Sequence, residues 1–300
     1  FPNKVRASVI GIFVLGVPAA LTLGSPISGA LLEMHGVLGQ PGWFWMFVLE
    51  GLPAVVLGIF AYFYLDDSPG KARFLNPEEK QALVAQLALE QTNTEASSVK
   101  DALKNSKVWH LAFIYGTIQV GVYGLLFFLP SQVASLMGTN IGFKASLVAA
   151  IPWAVSAFGV YYIPRYADRK TSRRLPIAIG CMVIAALGLV VSSYAGPTVA
   201  IIALCFCAVS FLAVQPIFWT LPAQILSGPA LAAGIGFCTT LGALFSFLAP
   251  LIRTEAELRF DSPHAGLIVL AIFSLLCAAL IFALKGWATQ SAERQAQVSG

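Results

Sequence analysis

The sequence predicts an all-α integral membrane protein, a helical bundle that crosses the bilayer about eight times. Apolar residues make up 58% of the 300 residues, charged residues only 11%, and the mean hydropathy is +0.80. A soluble domain carries roughly 25% charged residues, so this chain has too few charges to cover a water-facing surface. The apolar residues also form long unbroken runs, whereas the strands of a membrane barrel alternate apolar and polar residues.

Eight apolar runs have the length of a membrane span. An α-helix needs about 20 apolar residues to cross the hydrocarbon core, and an isolated span must be helical because lipid cannot satisfy backbone polar groups. Glu50 is the only Asp, Glu, Lys or Arg inside these runs. The predicted spans cover residues 7–32, 43–65, 108–130, 145–164, 175–195, 197–221, 229–252 and 264–284.

The basic residues predict the orientation in the membrane. All but Lys144, Arg253 and Arg259 among the 18 Lys and Arg residues fall on one side, and cytoplasmic loops carry the excess of basic residues. We therefore expect a multi-pass protein of the inner or plasma membrane with both termini in the cytoplasm. The helix ends that face away from the cytoplasm form the predicted outer end of the bundle. The connections expected there are 33–42, 131–144, 195–197 and 253–263.

One long polar connection, 66–107, divides the spans into two and six. Asn76, Pro77 and Glu79 predict the start of a short amphipathic helix within it, because Asn caps a helix, Pro fits its first turn and Glu bonds back to the cap. We expect 1–65 to be the last two helices of an N-terminal bundle, 66–107 a cytoplasmic linker, 108–287 a six-helix C-terminal bundle and 288–300 a cytoplasmic tail.

Several sequence motifs resemble the major facilitator superfamily, and within it the anion:cation symporter branch of tartrate, phthalate and sugar-acid carriers. The resemblance covers nearly the whole chain. The passages that carry it are FP at 1–2 with GSPISG at 24–29, GWFWMF at 42–47 with EGLPA at 50–54, RYADRK at 165–170, and FWTLPAQ at 218–224 with SGP at 227–229.

This resemblance implies spans five to twelve of a twelve-helix carrier, with the first four helices absent. The two-plus-six division and Phe at position 1 fit a fragment or a processed chain. In the family, the helices before this region hold much of the charge that binds anion and proton. The expected partners are therefore a small organic anion, a proton, the lipid bilayer and the missing N-terminal helices of the same protein.

The predicted run 108–130, which corresponds to span seven of the family, carries Tyr115, Gln119 and Tyr123. Their spacing of four places them on one helical face, where hydroxyl and amide groups could bind a polar solute. Hydrogen bonding between helices is the alternative explanation, and such bonds are worth about 0.6 kcal/mol in a membrane. We predict that this face lines the substrate cavity.

Spans ten and eleven offer three more candidate substrate-binding residues. Gln215 and Trp219 are four residues apart on either side of Pro216, which removes a backbone hydrogen bond and favours a bend. Thr239 is a cavity candidate by position, although hydroxyls in helices more often bond their own backbone. Packing or membrane-boundary roles are the alternative for all three residues.

Three charged residues have candidate roles apart from substrate binding. Glu50 is a carboxylate inside a span, and such groups usually face a cavity or a partner, so it either couples a proton or joins helices structurally. The family resemblance favours the structural role. The resemblance also assigns a gating role to Asp168 and Arg169 in the short connection between spans eight and nine.

The function expected is secondary active transport, a proton-coupled symport of a small organic anion by alternating access. A structural membrane subunit or a passive channel is the alternative, although a single Glu50 makes no charged ring for a channel. We expect no enzyme activity, cofactor, metal site or nucleic-acid partner. The five cysteines lie in apolar runs, and the three histidines stand far apart, at the edges of spans.

Overall fold

The computed structural model describes residues 12–66, 69–92, 99–140, 142–169, 173–226 and 228–298. Residues 1–11, which begin the first predicted span, and Lys170 lie outside this description. The described residues form twelve α-helices: α1 Gly16–Leu32, α2 Gly42–Tyr64, α3 Pro77–Thr92, α4 Val99–Lys104, α5 Ser106–Leu126, α6 Leu129–Met137, α7 Phe143–Asp168, α8 Arg174–Tyr194, α9 Pro197–Phe218, α10 Pro222–Ile225, α11 Gly228–Arg259 and α12 Pro263–Val298.

The fold class predicted from the sequence is confirmed. Eight of the helices are long and apolar enough to cross a membrane, and they coincide with the eight predicted runs. The polar connection after α2 contains α3 and α4. The expected capping box is also present, since Asn76 Oδ1 accepts from the amide of Glu79 at 2.8 Å and Glu79 Oε2 accepts from the amide of Asn76 at 3.0 Å.

Helix α5 lies inside the C-terminal bundle. It packs mainly against α11 and α12, while α9 packs against α7 and α8. The bundle core combines side chains of these helices, and among the largest fully buried ones are Ile118, Met182 and Phe211. Glycines allow the helices to approach closely, because a Cβ on Gly121 of α5 would overlap the Phe211 ring of α9.

Helices α1 and α2 lie at one side of this bundle, and α1 packs more extensively on α7 than on α2. Helix α2 packs against α1, and α1 lies along α7. At the crossing of α1 and α7, a Cβ on Gly29 would lie 2.7 Å from Ser146 Oγ. Near the predicted outer end, Glu33 Oε1 accepts a 3.0 Å hydrogen bond from the amide of Phe143, the first residue of α7. A carboxylate at a helix N-terminus also interacts favourably with the helix dipole.

Two predicted span boundaries are wrong. The run 108–130 does not stay one helix: α5 ends at Leu126, and α6 begins at Leu129 with Pro130 in its first turn, where the missing N–H costs no helical bond. The run 229–252 continues as α11 to Arg259. Arg253, expected in an outward-facing connection, is instead only 3% exposed within the bundle.

Candidate functional site

An aromatic cluster on α5 and α9 forms the centre of the candidate site. Tyr115 stacks on Phe218 with ring centroids 5.0 Å apart and an interplanar angle of 23°. The Tyr115 ring also lies 4.7 Å from the ring of Trp219 at 55°. Tyr115 and Phe218 are buried and Trp219 is half-buried. The structure therefore brings together two of the residues that the sequence selected from different helices.

The third wall of this cluster comes from α11 and is built on glycines. A Cβ on Gly242 would lie 2.5 Å from the Tyr115 ring and 3.4 Å from Gln119 Cγ. The reciprocal contact is made by Phe245 of α11, which packs over Gly116 of α5. A Cβ on Gly116 would lie 2.9 Å from the Phe245 ring. Because each aromatic ring faces a glycine of the other helix, α5 and α11 approach closely beside the candidate site.

Gln119 lies one helical turn from Tyr115 and is 8% exposed. Its Oε1 atom is buried and accepts no hydrogen bond from the described residues. Buried side-chain polar atoms are normally paired, so an unpaired one needs an explanation. Thr117, on the same helix, shows the ordinary case: its hydroxyl donates to the carbonyl of Ile114 at 2.8 Å.

The other predicted substrate residues are less closely connected to this cluster. Tyr123 is half-buried, with its ring 5.8 Å from that of Phe127. Gln215 is half-buried on α9, one turn before Trp219. Thr239 is exposed, and its hydroxyl donates to the carbonyls of Ile235 and Gly236 of its own helix. That hydroxyl is satisfied locally, as is common for Thr in helices.

Glu50 lies on α2, which packs on α1, whereas the aromatic cluster is formed by α5, α9 and α11. Its Oε1 accepts a 2.5 Å hydrogen bond from the hydroxyl of Ser28 on α1. The carboxylate is exposed in this structure. The contact that the structure gives Glu50 is therefore one that joins α1 to α2.

Asp168 and Arg169 end α7 at the predicted cytoplasmic end. Asp168 Oδ1 forms an ion pair with Arg174 at the start of α8, with an N···O distance of 2.8 Å, and both side chains are about four-fifths buried. Arg169 is exposed. The structure thus pairs Asp168 with an arginine of the neighbouring helix, and this pair spans the turn between α7 and α8.

Three features of the site were not selected from the sequence. Phe218 and Gly242 look like ordinary apolar and small residues of a membrane helix, so the sequence carries no signal that they contact Tyr115. Arg253 had a signal, since it is an isolated arginine directly after a long apolar run. Such a residue is rare in a span and usually has a partner inside the bundle.

Among the residues that the structure describes, no three His, Cys, Asp or Glu side chains come together in a group that could hold a metal ion. All five cysteines are free thiols, and four of them are buried. The lining of the aromatic cluster, as far as it is described, consists of hydroxyl, amide, indole and apolar groups.

Comparisons with known proteins place the chain in a family. Residues 1–250 match the family model described as Major Facilitator Superfamily. The chain is 54% identical over 285 residues to the Inner membrane transport protein RhmT of Escherichia coli, covering 95% of this chain and 66% of that protein. It is 34% identical to a protein of Agrobacterium vitis named "Putative tartrate transporter", covering 95% of this chain and 63% of that protein.

The fold also matches that of a solved transporter. The crystal structure of the E. coli Fucose:proton symporter FucP aligns with a TM-score of 0.52 and 17% sequence identity, covering 94% of this chain and 83% of that one. This likeness concerns the fold alone. The chain spans about two thirds of the length of the relatives that it matches. The family model covers far more than half of the 300 residues, so this chain belongs to the Major Facilitator Superfamily.

Proposed function

We propose that this chain forms part of a secondary active transporter that carries a small organic anion, with a proton, by alternating access. The observation that carries the proposal is the buried face of Tyr115 and Gln119 on α5, enclosed by Trp219 of α9 and Gly242 of α11. Carriers bind their solutes near the middle of the membrane, on such polar faces. Membership of the superfamily supports the same function.

The chemistry of this face fits a hydroxylated carboxylate such as tartrate or a sugar acid. The Gln119 amide offers an NH₂ group that donates to a carboxylate and an Oε1 that accepts from a hydroxyl. The Oε1 is the atom that lies buried without a described partner. The Tyr115 hydroxyl and the Trp219 indole N–H add further donors, and a relative is named for tartrate.

The described residues that line this cluster carry no full charge. We propose that the countercharge for the anion comes from the N-terminal helices that the family resemblance implies. Gln215, Tyr123 and Thr239 then contribute at the margin of the cavity rather than at its centre. Because Thr239 bonds its own helix, its contribution is the weakest of the three.

For Glu50 we propose a structural role. Its hydrogen bond with Ser28 joins α1 to α2, and a residue that held two helices together would be needed whatever solute the carrier moves. The alternative is that Glu50 carries the coupled proton.

For Asp168 we propose a gating role with Arg174. The pair lies at the end of α7 and the start of α8, at the predicted cytoplasmic end, where the two halves of a carrier separate when it opens inward. Arg169 is exposed beside it and available to a partner on the other half. We further propose, from the distribution of the basic residues, that both termini lie in the cytoplasm and that the protein lies in the inner or plasma membrane.

The test is solute uptake by the protein, in the length that the cell makes, reconstituted in liposomes. An inside-alkaline pH gradient should drive accumulation of labelled tartrate or another small hydroxy acid. Unlabelled acid inside the vesicles should accelerate entry of the labelled acid, because a carrier exchanges solutes and a channel does not. Failure of every acid in a broad panel to accumulate would contradict the proposal.

The first variant to measure is Gln119→Leu. It keeps the volume but removes the amide, so uptake of the best acid should fall by about tenfold or more, the effect of losing one or two buried hydrogen bonds. The matched control is Gln81→Leu on α3, where the glutamine is exposed in the polar connection. Unchanged uptake in Gln119→Leu would move the site away from this face.

A further inference from the structure

Arg253 is the most completely buried charged residue of the described chain, with 3% of its surface exposed. It lies on α11, eleven residues beyond Gly242, which is three helical turns or about 16 Å along the axis. Both residues therefore face α5, one beside the aromatic cluster and the other at the predicted outer end. A buried guanidinium is stable only when charge and hydrogen bonds compensate it.

The compensation of Arg253 comes from three elements. Its Nε donates to Glu257 Oε1 on the next turn of α11 at 2.8 Å. Its Nη1 donates to the carbonyl of Gly124, at the end of α5, at 3.2 Å, and its Nη2 donates to Gln132 Oε1 of α6 at 2.9 Å. The guanidinium carbon also lies 4.2 Å from the centre of the Phe128 ring, between α5 and α6.

These contacts fasten the break between α5 and α6 to α11. The Gly124 carbonyl lies in the last turn of α5, the Phe128 ring comes from the break itself and Gln132 from α6. The fourth helix is close as well, since a Cβ on Gly266 of α12 would lie 2.7 Å from Arg253 Cγ. A planar guanidinium with several donors suits a joint of this kind, because it holds several acceptors in fixed directions.

We propose that Arg253 is a positioning residue that keeps the candidate site closed at its predicted outer end, by locking the outer ends of α5 and α6 onto α11. The inference rests on the proposed transport function. The site lies between the same two helices, α5 and α11, and the Arg253 contacts hold their outer ends together beyond the packing of Phe245 on Gly116. Opening toward the outside requires these contacts to loosen.

Two native cysteines make the proposal measurable without transport. Cys238 is one helical turn from Gly242 on α11 and is 1% exposed, while Cys277 lies in the core of α12, where its thiol faces the carbonyl of Ile114. A membrane-impermeant thiol reagent added from the predicted outer side should reach Cys238 when the end near Arg253 opens. It should reach Cys277 only when the bundle itself unfolds.

The main variant is Arg253→Met, which keeps an apolar stem and removes every hydrogen bond. We expect Cys238 to react about tenfold faster from the outer side, a change typical of coupling between two sites, while Cys277 stays unreactive. Arg253→Lys should give an intermediate rate, since lysine keeps the charge but presents its three donors from a single nitrogen instead of a rigid planar fork. Arg259→Met is the matched control, because Arg259 is exposed on the same helix.

A milder variant covers the case in which Arg253→Met fails to fold. Gln132→Leu removes only the acceptor on α6 and should speed Cys238 labelling in the same direction by a smaller factor. Unchanged Cys238 labelling in both variants would overturn the proposal, and so would equal acceleration of Cys238 and Cys277 in both, since that pattern means a role in stability alone. Accelerated labelling in a protein that moves no acid would support the closing role and contradict the transport function.

Discussion

Helices α2 and α5 show how differently two membrane spans of one chain can be used. The apolar window of α2 has the higher mean hydropathy, yet none of it is buried within the described protein, whereas 78% of the α5 window is buried. Among the described helices α5 is the enclosed one of the two, and the groups that it buries include Tyr115, Thr117 and Gln119. Apolar character thus indicates that a helix can lie in a membrane, whereas the burial of α2 is counted against the described residues alone and leaves out the N-terminal helices that the family resemblance implies.

The first prediction compares packing in these two helices and has the largest expected effect. Gly121→Ala on α5 places a methyl group against the buried Phe211 ring, and overpacking of this kind costs about 1–3 kcal/mol. Gly58→Ala on α2 is the matched control, because no atom lies within 4 Å of the added Cβ. Thermal unfolding of the purified chain in detergent should show a lower melting temperature for Gly121→Ala only. Equal losses in both variants would mean that the two helices are packed alike.

The second prediction concerns the contact of α1 with α7, which joins α1 and α2 to the bundle. Gly29→Val places atoms against Ser146 and the backbone of Phe143. This should make the packing of α1 on α7 less favourable by roughly 1–2 kcal/mol of free energy. Amide hydrogen exchange of residues 16–32 should accelerate, while exchange of residues 106–126 in α5 should not change. The matched control is Gly24→Val on the same helix, since an added Cβ there meets no neighbour within 4 Å.

The outcome of that experiment tests whether the pair and the bundle are separate units. If exchange in α5 rises together with exchange in α1, the two regions unfold as one cooperative unit and the distinction between them does not hold. If exchange in α1 stays unchanged, the hydrogen bond from the amide of Phe143 to Glu33 is enough to keep α1 packed on α7.

The third prediction has the smallest expected effect on stability and concerns Glu50. Glu50→Gln keeps an oxygen that accepts from the Ser28 hydroxyl, so the pairing of α1 with α2 should change by less than about 1 kcal/mol. If Glu50 is structural, uptake driven by the pH gradient should persist in this variant. Loss of the response to pH, with exchange of labelled for unlabelled acid retained, would assign the coupled proton to Glu50 instead. Glu50→Ala is the comparison that removes the hydrogen bond itself.

The candidate site was only partly predictable, and the reason differs from residue to residue. Tyr115, Gln119 and Tyr123 could be placed on one face from their spacing, and that face does lie against other helices. Their neighbours could not be predicted, because Phe218 and Gly242 are residue types that occur throughout membrane helices. Whether the face binds a solute is a question that the uptake experiment answers.

Thr239 and Arg253 show what position along the sequence leaves undecided. Thr239 was selected as a cavity residue from its position in the sequence, and its hydroxyl bonds the carbonyls of its own helix, a choice that depends on the local rotamer and not on the pattern of residues. Arg253 follows the end of an apolar run and was therefore expected in water. Helix α11 continues past it because Glu257, Gln132 and the Gly124 carbonyl compensate its charge.

The sequence by itself determined that the chain lies in lipid, how many spans it has and where some helices start. These properties depend on the length of apolar runs and on neighbouring residues such as Asn76 and Glu79. Only the tertiary structure decided which helices lie inside, which ring stacks on Tyr115 and where Arg253 is held. The physical reason is that lipid and protein interior are similarly apolar, so hydrophobicity does not distinguish a face turned to lipid from a face turned to another helix. Close packing and paired polar groups make that distinction, and both arise only when distant segments meet.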